Sequence, residues 1–133
     1  MYVAVDVEKA FLQGMTYEEM HREVGEAPRE VNFTLPPGSA AILRQVPGYE
    51  DFDETKECLH CIKPGTGCKD APRCWAIQLA RATNDSFGCV PTIHDEQLIV
   101  RHRPPRNQLD FIGSKHVDDI KAGSSDETLK EFI

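Results

Sequence analysis

Apolar and polar positions change rhythm several times along the 133 residues, and each rhythm implies an element. Tyr2-Val3-Ala4-Val5 is a short apolar strand that delivers one carboxylate, Asp6. Glu8-Lys9-Ala10-Phe11-Leu12 reads as a single helical turn ended by Gly14. Thr16, with Glu19 three residues on, is a capping-box pattern, which predicts a short helix stopped at Gly25. Glu30 to Leu35 alternates as a half-buried strand does, and Pro36-Pro37-Gly38 breaks it. Ala40 to Gln45 fits a helical turn or a strand, and Glu57 to Lys63 reads as a strand. Asp70-Ala71-Pro72 looks like an N-cap with proline in the first turn. It predicts the longest helix, from about Arg73 to Thr83, with Trp75, Leu79 and Ala82 on one face.

The last third is strand-rich. Gln97 to Arg101 and Leu109 to Ile112 flank the turn Pro104-Pro105-Arg106-Asn107 as a hairpin. Lys115 to Gly123 follows, preceded by Gly113-Ser114 and closed by Gly123-Ser124-Ser125. It reads as a second, tight hairpin with Asp118-Asp119 at or beside the turn, because Asp is depleted in strands and favoured in turns. Asp126 to Ile133 begins a last helix, with Leu129, Phe132 and Ile133 at helical spacing. Repeats and low-complexity linkers are absent from the sequence. The pattern predicts one α+β domain, an antiparallel sheet with helices packed on one face.

A chain that is 40% apolar and 28% charged has the composition of a globular domain. No apolar run approaches the ~20 residues that span a bilayer, and nothing resembles a signal peptide. The expected address is intracellular, cytoplasmic or nuclear, with no membrane partner. Fifteen Lys and Arg against 22 Asp and Glu leave a net charge of −7, which argues against a free-standing nucleic-acid binder. Arg101, His102, Arg103 and Arg106 are clustered, but a charged hairpin tip accounts for them. Lys63, Lys69 and Arg73 form a second basic cluster.

The five cysteines are an odd number, which fits reduced thiols. Cys58-Leu59-His60-Cys61, with Cys68 and Cys74 following, offers four thiolates, or three with His60, for a tetrahedral structural Zn²⁺. That arrangement would make the chain a zinc-stabilised, non-enzymatic interaction module. Against it, the gap between Cys68 and Cys74 is longer than a zinc knuckle's, and Cys58 and Cys61 point to opposite faces of a strand. Buried free thiols also serve well as small apolar residues.

If the strand ending in Asp6 lies beside the acid-pair hairpin, Asp6, Asp118 and Asp119 converge on one spot. Like charges that close repel, and one or two divalent cations are the natural compensation.

With those residues in hand, the chain resembles the palm of a copia-type retrotransposon reverse transcriptase. Val5-Asp6-Val7-Glu8-Lys9-Ala10-Phe11-Leu12-Gln13-Gly14 looks like the first palm block. Pro47-Gly48-Tyr49-Glu50-Asp51, then Gly67-Cys68-Lys69-Asp70-Ala71-Pro72-Arg73-Cys74-Trp75, looks like the second. His116-Val117-Asp118-Asp119-Ile120-Lys121-Ala122-Gly123 looks like the third. The likeness spans residues 1–133 as a partial reverse transcriptase domain, with incomplete fingers and no thumb. It departs from the family at His116, where Tyr is usual, at Thr66, where an aromatic is usual, and in a longer insert from Met15 to Gln45.

The resemblance implies RNA-directed DNA polymerisation by two-metal nucleotidyl transfer, with Mg²⁺ or Mn²⁺ as cofactor. Asp6 and Asp118 would bridge the metals, Asp119 would lie beside them, and the carbonyl of Val7 could complete a shell. Phe11 would lie beneath the sugar and select deoxynucleotides, although its periodicity alone suits a core aromatic. Gly67 and Lys69 would support the templating base and the incoming nucleotide. Trp75 fits a core anchor of the long helix better than a nucleotide stack. The implied partners are an RNA or DNA template-primer, a deoxynucleotide and other polyprotein segments, and the implied compartment is a cytoplasmic virus-like particle or the nucleus. A sheet without fingers and thumb is expected to be inactive alone.

Overall fold

The structure, a computed structural model, describes residues 1–132. In chain order it contains β1 (Tyr2–Asp6), a 3-10 turn (Ala10–Gln13), α1 (Tyr17–Val24), β2 (Asn32–Phe33), α2 (Ala40–Leu43) and β3 (Leu59–His60). Then come α3 (Ala71–Arg81), running on into a π-helical turn (Ala82–Ser86), β4 (Val90–Pro91), β5 (Leu98–Arg103), β6 (Gln108–His116), β7 (Asp119–Ser124) and α4 (Asp126–Phe132). The chain divides into two compact units, Met1–Met15 with Pro64–Ile133, and Thr16–Lys63. Residues 16–45 belong to the second unit, which continues to Lys63.

The first unit is built on an antiparallel sheet in the order β1-β7-β6-β5-β4. Its side chains alternate cleanly. Val3 and Val5, Ile120 and Ala122, Phe111 and Gly113, and Ile99 point to the side that packs with Trp75 and Leu79 of α3 and Leu129 and Phe132 of α4. Phe111 and Ile99 are fully buried there, each worth ~1.5–3 kcal/mol against solvent. Phe87, Phe111 and Phe132 meet with ring centroids 4.8–4.9 Å apart. On the opposite face Tyr2, Ala4, Asp6, Ser114, His116, Asp119 and Lys121 are exposed. The expected α+β sheet, with helices on one face, is what forms.

Several boundaries differ from the expected ones. β6 runs unbroken from Gln108 to His116, so Gly113-Ser114 is strand rather than a break. A Cβ on Gly113 would stand 2.9 Å from the Phe111 ring, so the glycine makes room for that ring inside the strand. The buried stripe of α3 is Ala71, Cys74, Trp75 and Leu79, and it continues to Thr83 while Ala82 is exposed. The wider π turn changes the phase, and the Thr83 hydroxyl donates to the carbonyls of Leu79 and Ala80. Asp70 precedes α3, but its backbone is already helical and its side chain makes no cap bond. At α4 the expected Leu129 is buried and Phe132 half-buried, while Ile133 lies outside the described residues.

Arg101, largely buried, and Arg103, half-exposed, are both tied into this unit by ion pairs. The Arg101 guanidinium donates to Asp110 at 2.7 and 3.0 Å, to the Phe87 carbonyl at 3.1 Å, and stacks 3.8 Å over the Phe87 ring. Arg103 reaches Asp110 at 3.0 Å, and both arginines reach Glu131 at 3.3 Å. The Thr128 hydroxyl donates to the other Asp110 oxygen at 3.0 Å, which ties α4 to β6. Those two cations are therefore committed to β5, β6 and α4.

In the second unit, Thr16 and Glu19 form the reciprocal capping box at the start of α1, and Gly25 ends it with φ +74°. Residues 40–43 are helical. The two expected strands shrink to a two-residue pair, β2 with β3, in which only Asn32–His60 and Phe33–Leu59 are in register. Both β2 residues are exposed, so alternation there carries no buried face to extend the ladder.

Candidate functional site

The sequence places carboxylates at the ends of two strands, and the register decides whether they meet. β1 and β7 pair antiparallel with Asp6 opposite Asp119, and β6 and β7 pair with His116 opposite Asp119. His116, Asp119 and Asp6 thus form one cross-strand row on the exposed face. Directly opposed positions hold their Cβ atoms about 4.5–5.5 Å apart, where like charges repel.

Asp118 lies in the two-residue loop Val117-Asp118 between β6 and β7. Val117 has φ +54°, a conformation that a β-branched residue adopts only under constraint. The constraint is visible at both carbonyls of the loop. The Trp75 indole N–H donates to the Val117 carbonyl, and the Val7 N–H donates to the Asp118 carbonyl at 2.9 Å. One bond comes from α3 and the other from the residue after Asp6, so the loop is held to both neighbours of the carboxylates. Trp75 is buried, as a core anchor should be, and its polar edge has this second task.

Asp6, Asp118 and Asp119 are all exposed, and among the described residues none is within ion-pair reach of a Lys or Arg. Their chemistry, hard oxygen donors without a cationic partner, suits Mg²⁺ or Mn²⁺. Their side chains are nevertheless not drawn together: among the described residues no group of three or more His, Cys, Asp or Glu is arranged to hold a metal. The same finding covers the cysteines. Cys58 is exposed and Cys61 half-buried in the second unit, with Cys61 Sγ donating to the Lys63 carbonyl at 2.9 Å. Cys74 and Cys89 are buried in the first unit, and burial pushes both thiols up, Cys89 to about 11. Protonated, buried thiols behave as packing residues rather than ligands.

Phe11 is half-buried and packs with the cluster of Ala10, Trp75, Leu79 and Ile120, on the helix side of the sheet. That is the packing of a core aromatic. Gly67 and Lys69 are exposed in the loop that leads into α3. Gly67 has φ +92° and the Cys68 N–H donates to the Gly65 carbonyl at 3.0 Å, a type II turn with glycine at its third position. Open space surrounds its Cβ direction, so the backbone angle, not crowding, demands glycine. Gly67→Ala is expected to cost about 1 kcal/mol, read as a shift of the urea midpoint with unchanged slope.

One residue escaped the sequence reading. Lys115 falls on the same face of β6 as Phe111 and Gly113 and is only 8% exposed. Period-two alternation through β6 was the signal that could have found it. Among the described residues no helix is long and apolar enough to cross a membrane. No protein-family model, curated protein or solved structure matches the chain.

Proposed function

We propose that the sheet unit is the palm portion of an RNA-directed DNA polymerase of the copia-type retrotransposon kind, transferring deoxynucleotides to a primer 3′-hydroxyl. The observation that carries this reading is the register that sets Asp6 opposite Asp119, with Asp118 in the adjoining loop and its carbonyl bonded to Val7. The order of the three sequence blocks along the chain adds to it.

Asp6, Asp118 and Asp119, with the Val7 carbonyl, would hold the divalent cations. Bound there, Mg²⁺ or Mn²⁺ supplies charge stabilisation to the attacking and leaving oxygens. The chain's own part is positional. Trp75 and Val7 fix the loop backbone, so the carboxylates start from a defined place. Gly67 and Lys69 stand on the loop that would face template and nucleotide. Phe11 would gate the sugar only if the nucleotide reaches the helix side of the sheet, where its ring packs.

The test is primer extension on poly(rA)/oligo(dT) with Mg²⁺ or Mn²⁺, comparing the chain with its Asp118→Asn variant. The expected result is extension that falls to background in the variant. Extension equal in both would remove Asp118 from the chemistry, and no extension by either would leave the chain without the proposed activity.

A further inference from the structure

A cavity of 380 Å³ lies on the helix side of the sheet unit. Phe11, Trp75, Leu79, Pro91 and Val117 supply its apolar wall, and Lys115 lines it as well. The volume is at the small end of the range for ligand sites, roughly 300–1,000 Å³.

Lys115 is the unexplained group. Three polar side chains of the described residues are buried: Thr83, Thr128 and Lys115. Both threonines are hydrogen-bonded, to Leu79 and to Asp110. Lys115 has no hydrogen bond or ion pair from its ammonium among the described residues. No buried side-chain nitrogen or oxygen among the described residues lacks a hydrogen-bond partner, so it is the Lys115 stem that is buried, while its unpaired ammonium keeps contact with solvent and is open to an anion. Burial lowers its pKa from 10.5, against an opposing pull from Cys89 and Glu96. It is the one cation lining the cavity, and the exposed Glu96 is the one anion.

We propose that this cavity binds a small monocarboxylate with an aromatic or branched apolar body, its carboxylate paired with the Lys115 ammonium. One unpaired positive charge matches one negative charge. A phosphate dianion would leave charge uncompensated beside Glu96, and a neutral apolar molecule would leave Lys115 as it is. The apolar walls account for the body of the ligand, and the Gln97 side chain, also in the lining, offers an amide donor to the second carboxylate oxygen. This reading uses none of the three carboxylates; it shares Phe11, Trp75 and Val117 with the site proposed above, and its test needs neither metal nor nucleotide.

Trp75 is the sole tryptophan of the chain and lines the cavity, so its emission reports occupancy. The experiment titrates phenylacetate, hydrocinnamate and isovalerate into the intact chain, with phenylacetamide as the neutral control. Saturable change with a carboxylate, at least tenfold weaker with the amide, is the expected result. Lys115→Met, which keeps the length and removes the charge, should weaken carboxylate binding by about thirtyfold or more. The variant's melting temperature should stay at that of the parent, since the ammonium makes no ion pair and the buried stem keeps its length. Equal binding of carboxylate and amide, unaltered binding in a folded Lys115→Met chain, or no saturable change up to millimolar ligand would each overturn the proposal.

Discussion

Asp110→Asn is expected to destabilise the sheet unit by about 3 kcal/mol, a fall of roughly 10 °C in melting temperature. The Asp110 side chain is 12% exposed and accepts from Arg101, Arg103 and Thr128 together. The asparagine has nearly the same shape but no charge, so the largely buried Arg101 guanidinium loses its counter-ion where water reaches poorly, and the half-exposed Arg103 loses the same partner. Glu131 remains within 3.3 Å of both arginines, which holds the loss at the low end of the ~3–5 kcal/mol for a broken buried pair. The same group sets an acid dependence. Burial pushes the Asp110 carboxyl up, but the Arg101 and Thr128 hydrogen bonds and the charges of both arginines outweigh it and hold the pKa below 3.8. The unfolded chain then takes up the proton first as pH falls. Stability from this group is complete above pH 3.8 and is lost as pH drops through the lower folded-state value. Urea midpoints measured on either side of that window should fall in the parent and change less in Asp110→Asn. A variant with parental stability would mean that the arginines do not depend on Asp110.

At the alkaline end the expected effect is about 2–3 kcal/mol lost between pH 9 and 11, and the group responsible is Cys89. Its residue is 1% exposed, and burial raises the thiol from 9.0 to about 11. Between those values the unfolded chain ionises while the folded chain must keep its proton. Stability from this group is therefore full below pH 9 and disappears as pH rises through 11. Cys74, also raised by burial, adds with the same sign. Lys115 works the other way. Its folded-state pKa lies below 10.5, so the folded chain sheds the unfavourable charge before the unfolded one does, and stability rises with pH through that window. Cys89→Ala should flatten the alkaline loss, and Lys115→Met should steepen it. Denaturant midpoints at pH 8, 9, 10 and 11 in the three proteins would separate the terms; an alkaline loss unchanged in Cys89→Ala would assign it elsewhere.

Local chemistry made some elements legible. Thr16, Glu19 and Gly25 act within one short segment, and α1 starts and stops where their hydrogen bonds require. The same holds for β1, for the turn at residues 104–107 and for the second hairpin, whose loop is Val117-Asp118. Where the sequence misled, the deciding partner was distant. Glu30 to Leu35 and Glu57 to Lys63 alternate well, yet only two residues of each pair, because no buried face extends the ladder. The strand expected over Leu109 to Ile112 runs on through Gly113, which makes room for the Phe111 ring two residues away. Ala82 looked buried by a period of 3.6, and a π turn moved that place to Thr83.

The sequence by itself determined the α+β class, the acid pair at a hairpin loop, the single carboxylate closing the first strand and the apolar rhythm that buries one sheet face. These follow from residue type and spacing over a few neighbours. Only the tertiary structure decided that Asp6 stands opposite Asp119, that Trp75 and Val7 hold the loop between β6 and β7, and that Arg101 and Arg103 are spent on Asp110. It alone set Lys115 in the wall of an apolar cavity without an ion-pair partner. The carboxylate and loop pairings span tens of residues and the arginine pairings join facing strands of one hairpin; all are set by strand order and register, and no local preference encodes which of many partners a side chain will meet.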